Sequence, residues 1–151
     1  MAMTMNGEYE LAVPPQTVWE KLNDAATLKA CIPGCEQLDK TSDTEFQAVA
    51  TVKIGPVKAK FKGRVTLSDL DPPNGYKISG QGDGGVAGFA KGGATVKLTP
   101  KDGGTLLSYS VDAQIGGKLA QLGQRLVNGA AKKIADDFFA NFANAVNPQP
   151  A

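Results

Sequence analysis

The C-terminal part of the chain carries apolar residues at a spacing typical of an amphipathic helix. In residues 116–146 an apolar side chain recurs at every fourth position, and polar side chains occupy most of the remaining positions. The recurring series is Leu122, Leu126, Ala130, Ile134, Phe138 and Phe142, with Leu119, Val127 and Ala131 beside it. A period of about 3.6 residues predicts one long helix over residues 116–146 with a single apolar face.

Most of the preceding chain alternates apolar and polar residues, which predicts strands. Residues 8–13 form a first strand that Pro14-Pro15 ends, and two short helices follow, over 17–23 and 24–30. From Cys35 onward the period is two, and turn signals divide the chain into about six antiparallel strands. These turns are Gly55-Pro56, the segment 71–75 and the segment 102–104.

A long helix after antiparallel strands buries its apolar face best on the concave side of a curved sheet. We therefore expect one domain over residues 1–146 and a flexible tail over 147–151. Gly123 and Gly129 fall inside the predicted helix, where each costs roughly 1 kcal/mol relative to alanine. Two features could compensate for this cost of the glycines: a close approach of helix and sheet, or room for a ligand.

Composition and charge exclude several classes of function. The formal net charge is +1, and basic residues are not interleaved with aromatic ones, so nothing indicates nucleic-acid binding. The chain has no histidine, which removes histidine-dependent triads and histidine-ligated zinc or haem. No apolar run approaches the roughly 20 residues needed to span a bilayer, and the N-terminus lacks the features of a signal peptide. We expect a cytoplasmic protein.

The two cysteines, Cys31 and Cys35, lie in the sequence CIPGC. A closed zinc site needs four ligands, and Pro33 and Gly34 prevent a helix that would align the two thiols. We expect no metal site. The cysteines are either buried or turn residues, or a reactive pair.

The glycine-rich segment contains Gly80, Gly82 and Gly85 in the spacing GxGxxG. The dinucleotide-binding version of this motif opens a helix, whereas strand periodicity resumes here. We interpret the segment as a hairpin with bulges that curves the sheet. Phe89 in this hairpin is either a core plug or part of the mouth of a cavity.

One strand carries an unbroken basic row: Lys58, Lys60, Lys62 and Arg64. This row is either a solvated outer face that protects against edge pairing, or a docking surface for an acidic protein or an anionic membrane. No nucleophile–base pair stands out among the remaining polar residues. Asp83, in the glycine-rich hairpin, is a carboxylate that could reach a cavity mouth. One carboxylate is little evidence for catalysis, so the sequence favours apolar enclosure.

Several segments together resemble the carbon monoxide dehydrogenase G-subunit family, a member of the START-like superfamily that includes polyketide cyclases and the major birch pollen allergen. The resemblance covers about residues 5–143. Its pieces are Val18-Trp19 after Pro14-Pro15, LKACIPGC (28–35), KIGPVKAKFKGRVTLSD (53–69), GGVAGFAKGGATVKL (84–98), GGKLAQLGQRL (116–126) and AKKIADDFF (131–139).

The resemblance implies an α+β helix-grip fold, in which seven antiparallel strands curve around the C-terminal helix and enclose a cavity. It also implies an accessory role beside a molybdenum hydroxylase of the aerobic carbon monoxide dehydrogenase type, without cofactors of its own. Superfamily members bind lipids, sterols or other apolar molecules. The lining that we predict is Phe61, Phe89, Val96, Tyr109, Leu122, Leu126, Ala130, Ile134 and Phe138, of which Tyr109 offers a hydrogen bond to a ligand carbonyl.

Three functional hypotheses follow. The leading one is a non-enzymatic accessory protein that carries a lipid-like molecule or quinone and aids membrane recruitment or electron transfer, in contact with the inner face of the membrane. The alternative is a docking module that acts through Lys58, Lys60, Lys62 and Arg64 without a ligand. The third is a cyclase-like enzyme, which would require polar groups such as Asp83 and Tyr109 to act in turnover.

Overall fold

The computed structural model describes residues 1–147, and its elements follow the predicted order. The strands are β1 (Ala2–Leu11), β2 (Cys35–Ser42), β3 (Glu45–Ile54), β4 (Val57–Asp71), β5 (Gly75–Asp83), β6 (Phe89–Lys101) and β7 (Gly104–Gly116). The helices are α1 (Pro15–Leu22), α2 (Ala25–Cys31), α3 (Lys118–Gln121) and α4 (Gln124–Val146), and a short 3-10 helix (Gly85–Ala87) joins β5 to β6. Of the expected flexible tail, residues 148–151 lie outside the described residues.

The strands form one antiparallel sheet in the order β1-β7-β6-β5-β4-β3-β2, so β1 and β2 are its edges. Side chains on successive residues of a strand point to opposite faces. On β4, Phe61, Val65 and Leu67 are half-buried or buried, whereas Lys62 and Arg64 are exposed. The helix-grip fold is confirmed, with an apolar concave face toward the helix and a polar outer face.

Helix α4 runs beside the free edge of β1. Gln124 donates a hydrogen bond from Nε2 to the carbonyl of Ala2 at 3.0 Å, and the N–H of Ala12 donates to Oδ1 of Asn147 at 2.8 Å. Strand and helix rise by about 3.3 and 1.5 Å per residue, so both spans between these tethers measure roughly 33–35 Å. The matched lengths allow one hydrogen bond at each end to hold the two elements parallel.

The core consists of two apolar clusters. The larger includes Val18, Leu107 and Phe142, each fully buried, and the smaller contains Met3 and Ile115 with two residues of the helices. A register row from Phe46 to Met3 crosses the concave face between them through Val65, Gly80, Gly92 and Ala113. The middle of this row therefore contributes little side-chain volume.

The predicted long helix is wrong in one respect: it is two helices separated at Gly123. Gly123 has φ 92° and ψ 157°, a conformation that is essentially restricted to glycine. Gly117, with φ 74°, separates β7 from α3 in a similar way. Both glycines therefore determine where the chain turns, and Gly123 is not an interruption inside a continuous helix.

The buried face of α4 also differs from the predicted stripe. Leu126 and Ile134 are 40% and 36% exposed, whereas Phe142 is fully buried. Four residues turn a helix by about 400°, so a strict every-fourth series drifts by about 40° at each step. Within α4 the series therefore runs from the exposed Leu126 to the half-buried Phe138 and the buried Phe142, beside the buried residues Val127 and Phe139.

The glycine-rich hairpin forms without the bulges that we expected. The register between β5 and β6 runs without a shift from Gly75↔Lys97 to Asp83↔Phe89. Register shifts occur instead between β2 and β3 and between β4 and β5. As predicted, the segment with the GxGxxG spacing does not open a helix of the dinucleotide-binding type, because β6 follows the short 3-10 helix.

Candidate functional site

A cleft of ≈ 410 Å³ lies where the edge strand β1 faces α4. Its sheet side combines apolar side chains and aromatic rings with the polar residues at the edge of β1, and polar side chains line much of its helix side. The lining residues are 3–9 and Tyr109 from the sheet, and Asn128, Ala131, Lys132 and Asp136 from the helix. The cleft lies between the two tethers that join β1 to α4.

Tyr9 links the sheet to the helix across this cleft. Its hydroxyl donates to Oδ1 of Asp136 at 2.7 Å, and Oδ2 of the same carboxylate accepts from Nζ of Lys132 at 2.7 Å. Burial, followed by the hydrogen bond and negative charge of Asp136, raises the pKa of Tyr9 to about 12. Lys132 and Tyr9 lower the pKa of Asp136, so the three groups remain a neutral phenol, a carboxylate and an ammonium at neutral pH.

Tyr109 stands beside Tyr9 on the concave face. Both rings stack on Phe139, with centroid distances of 4.3 Å for Tyr9 and 5.2 Å for Tyr109. A Cβ at Gly7 would lie 2.8 Å from the hydroxyl oxygen of Tyr109, so the ring occupies the space that the absent side chain leaves. Burial raises the pKa of Tyr109, which keeps its hydroxyl protonated and able to donate.

The backbone of β1 adds further polar groups to the cleft. Met1 and Ile115 exchange both backbone hydrogen bonds, so odd-numbered residues of β1 direct their N–H and C=O groups toward β7. The even-numbered residues direct theirs to the free edge, in agreement with the tethers at Ala2 and Ala12. Thr4, Asn6 and Glu8 therefore present backbone donors and acceptors along the cleft.

The residues that the sequence assigned to a ligand cavity lie in five different environments. Tyr109 lines the β1–α4 cleft. Val96 is buried in the larger apolar cluster, and Phe138 packs against it. Phe61 and Leu122 pack against the smaller cluster, while Ala130 is half-buried on α4. Leu126, Ile134 and Phe89 are exposed.

Phe89 lies on the outer face of the sheet, because it alternates with the half-buried Ala90 on β6. A Cβ at Gly116 would lie 2.2 Å from its Cε1, so the ring covers that glycine. Phe89 is 43% exposed and lines a recess of ≈ 600 Å³ on this face. It is therefore not part of the core.

The predicted basic row, Lys58, Lys60, Lys62 and Arg64, lies on the outer face of β4 with all four side chains exposed. Nζ of Lys60 is 3.3 Å from a carboxylate oxygen of Glu36. Lys62 and Arg64 line the outer recess. The basic row and the β1–α4 cleft thus lie on opposite faces of the sheet.

Sequence reasoning missed most of the β1–α4 cleft. Met3, Met5 and Tyr9 are at alternate positions of β1 whose side chains face inward, which the alternation along the strand could have shown. Lys132 and Asp136 stand four residues apart, a spacing that favours an ion pair on a helix. Their proximity to Tyr9 depends on the path of α4 and carries no local signal.

The described part of the chain shows no metal-binding group. Among residues 1–147, no three His, Cys, Asp or Glu side chains lie where they could hold an ion together. Cys31 is buried and Cys35 is half-buried, both are free thiols, and burial raises the pKa of each. Across the same residues, no helix has the length and apolar character needed to cross a bilayer.

A family model for the carbon monoxide dehydrogenase G-subunit (CoxG) matches residues 7–147. The chain is also similar to a crystal structure of a conserved protein from Geobacillus kaustophilus, with 35% identity, 95% coverage of both chains and a TM-score of 0.89. A search of curated proteins gives no match.

More distant structures share the fold. A protein from Chromobacterium violaceum is 15% identical with a TM-score of 0.72, over 97% of this chain and 99% of that one. An aromatase/cyclase from Streptomyces sp. R1128 is 12% identical with a TM-score of 0.70, over 97% of this chain and 94% of that one. At these identities the likeness concerns the architecture alone.

Proposed function

Because the chain belongs to the carbon monoxide dehydrogenase G-subunit (CoxG) family, we propose that it is a non-catalytic accessory protein that carries a small, largely apolar molecule bearing a carbonyl group. Its partner would be a molybdenum hydroxylase of the carbon monoxide dehydrogenase type. The carried molecule would be a quinone or a similar lipid, which would aid membrane recruitment or electron transfer. The observation that carries this proposal is the β1–α4 cleft with its two tyrosines.

The cleft offers a mixture of surfaces that suits such a ligand. Met3, Met5 and Ala131 supply apolar contacts, and methionine side chains adapt to irregular shapes. The hydroxyl of Tyr109 and the edge backbone of β1 supply hydrogen bonds. Sites for small molecules usually combine a mostly apolar wall with a few polar groups of this kind.

The protonated tyrosines make a phenol donor available to a carbonyl at the head of the ligand. The pKa values of Tyr9 and Tyr109 are both raised, so both phenols are neutral at physiological pH. Tyr9 already donates to Asp136, which leaves the Tyr109 hydroxyl as the phenolic donor for a ligand. A quinone carbonyl is an acceptor, and its flat ring suits a narrow cleft beside stacked aromatic rings.

The small residues of the sheet support room for the rest of the ligand. Gly80 and Gly92 occupy the middle of the concave face, and α4 packs most closely on α2 and β1 rather than on the central strands. Close approach of helix and sheet does not explain the two helix-segment glycines, because a Cβ at Gly123 or Gly129 would meet no atom within 4 Å. Space for a ligand is supported instead by Gly80 and Gly92 in the sheet. The tail of a lipid-like molecule would extend from the cleft over these glycines.

Identification of the bound molecule tests the proposal directly. The protein should be purified gently from its own host, examined by native mass spectrometry, and extracted for analysis of any released molecule. A quinone or lipid at one equivalent per chain is the expected result. A protein that is empty and gives no thermal shift with added menadione or ubiquinone-1 would contradict the proposal.

Paired variants locate the site. Ala131→Leu narrows the cleft and should weaken ubiquinone-1 binding at least tenfold, whereas Ala130→Leu adds the same volume one residue away, outside the lining. Tyr109→Phe should weaken binding by roughly three- to tenfold, the range for loss of one hydrogen bond. Tyr76→Phe removes a phenol from the buried core instead and should leave binding unchanged. Equal effects within either pair would place the ligand elsewhere.

A cyclase-like activity has less support. Asp83 and Tyr109 lie on opposite faces of the sheet, and the Asp83 carboxylate accepts a hydrogen bond from the N–H of Gly85 at 2.8 Å. These two groups therefore do not converge on one substrate. The raised pKa of each cleft tyrosine also disfavours a phenolate base at neutral pH.

A further inference from the structure

The outer face of the sheet contains the recess of ≈ 600 Å³, on the side away from α4. Two neighbouring rows of outward side chains cross β3, β4, β5 and β6 on either side of it. One row includes Gln47, Arg64, Gln81 and Lys91, which pair in register, and the next row includes Lys62 and Asp83. The recess thus runs across the strands and not along one of them.

The three cations of this recess are not paired with a carboxylate, unlike five other cations among residues 1–147. Lys60, Lys132 and Lys133 each lie within 4 Å of a carboxylate. Within residues 1–147, the side chains of Lys62, Arg64 and Lys91 form no ion pair within that distance. Asp39 and Asp83 line the same recess, so its three cations leave it a net charge of +1.

The register of the adjacent hairpin increases this positive charge. Lys53 on β3 lies directly opposite Lys58 on β4, beyond Lys62 along the same face. Like charges at directly opposite positions destabilise a sheet. A negatively charged partner would relieve this repulsion as well as neutralise the recess.

The uncharged and acidic groups of the recess favour a polypeptide over a phosphate-rich surface. Gln47 and Gln81 offer amide donors and acceptors suited to peptide groups. Asp39 and Asp83 also line the recess and repel negative charge. A polypeptide can place uncharged residues beside them, whereas a nucleic-acid backbone or a surface of anionic headgroups carries a charge on every unit. Phe89 adds an aromatic surface against which an apolar side chain can pack.

From these observations, we propose that the outer recess docks an acidic segment of a partner protein, with carboxylates against Lys62, Arg64 and Lys91 and an apolar side chain against Phe89. This site goes beyond the proposed carrier function and does not depend on it, because the ligand cleft lies on the other face of the sheet. It gives the protein a surface for its partner that leaves the cleft free to load or release a ligand.

Fluorescence anisotropy with a defined peptide tests the docking site. The probe is a fluorescein-labelled twelve-residue peptide, GDEDFEDWDEDG, and the control probe carries lysine in place of every acidic residue. The charge-reversal variant is Lys62→Glu/Arg64→Glu. Its matched control is Lys97→Glu/Lys77→Glu, which reverses two exposed lysines on the same face outside the recess.

The acidic peptide should bind the natural sequence in low salt and weaken as salt rises, because the contacts are exposed ion pairs. We expect the Lys62→Glu/Arg64→Glu variant to weaken binding at least tenfold and the control variant less than twofold. The lysine peptide should not bind. Phe89→Ser should weaken binding at least threefold, with circular dichroism confirming that the sheet is retained.

Three results would overturn the inference. The first is an equal loss of peptide affinity in the recess and control variants, and the second is the absence of any peptide binding in low salt. The third is tighter binding to phosphatidylglycerol vesicles than to the peptide, where the vesicle binding also depends on Lys62 and Arg64. Titration of each variant with ubiquinone-1 separates failure of the docking proposal from failure of the carrier function. The recess variants should keep the ligand affinity of the natural sequence, whereas Ala131→Leu should lose ligand affinity and keep peptide binding.

Discussion

Two glycines of the C-terminal segment should respond in opposite directions to the same substitution. Gly123 and Gly129 both have open space around the position of an added Cβ, so neither substitution causes a steric contact with another part of the fold. Gly123, however, has φ 92° and ψ 157°, whereas Gly129 lies inside α4. The difference between the two variants therefore measures backbone conformation alone.

The expected magnitudes follow from that difference. Alanine at position 123 must adopt a conformation that costs about 1–3 kcal/mol, so Gly123→Ala should lower the free energy of unfolding by that amount. Alanine at position 129 gains helix propensity, and Gly129→Ala should raise it by about 1 kcal/mol. At roughly 3 °C per kcal/mol for a domain of this size, the melting temperatures should differ by about 6–12 °C.

Urea denaturation monitored by circular dichroism gives both free energies, and differential scanning calorimetry gives the melting temperatures. The double variant should show an additive effect, because the two positions do not touch. If Gly123→Ala stabilises the protein as much as Gly129→Ala does, α3 and α4 form one continuous helix and the interpretation of Gly123 is refuted.

Three further predictions concern the core and the cleft. The pKa of Tyr9 is about 12 in the folded protein and about 10 in an unfolded chain, so the stability that its phenol contributes is present below pH ~10 and is lost as pH rises through ~12. Absorbance at 295 nm should show tyrosine ionisation only above pH ~11 in the native protein. A native midpoint near 10 for every tyrosine would contradict this. Thr105→Val removes the buried hydrogen bond of 2.7 Å from the threonine hydroxyl to the carbonyl of Val13, and should lower the free energy of unfolding in urea by about 1–3 kcal/mol. Thr105→Ser keeps the hydroxyl and should lower it less, whereas an equal loss would point to packing instead. Gly7→Ala should displace the Tyr109 ring by about 1 Å, because an added Cβ would lie 2.8 Å from its hydroxyl oxygen. The displacement should weaken ubiquinone-1 binding, and an unchanged affinity together with an unchanged near-ultraviolet spectrum would refute this prediction.

Features with a period of two were predictable from the sequence. The outward direction of Lys58, Lys60, Lys62 and Arg64 follows from their alternation with apolar residues, since neighbouring strand residues must face opposite sides. The turns and the order of the elements follow equally from local chemistry, as at Asp24, whose side chain accepts the N–H of Thr27 at the start of α2.

Features of the helix were less predictable, because a helical stripe defines its direction less sharply than a strand does. Ala130 and Ala131 are both small, so the sequence does not say which of them faces the sheet. The structure places Ala131 in the cleft and exposes Leu126 and Ile134. Phe89 is a similar case, because its loop position did not reveal which face of β6 it would occupy.

The sequence by itself determined the family, the two faces of the sheet, and the order of the strands and helices apart from the break at Gly123. Each of these depends on residues that are neighbours along the chain or on a pattern that repeats within one element. The tertiary structure alone decided which groups meet in the cleft, because Tyr9 and Asp136 are 127 residues apart and their hydrogen bond exists only when α4 lies along β1. It also decided that Lys62, Arg64 and Lys91 share one recess, since strand register across β4, β5 and β6 brings them together.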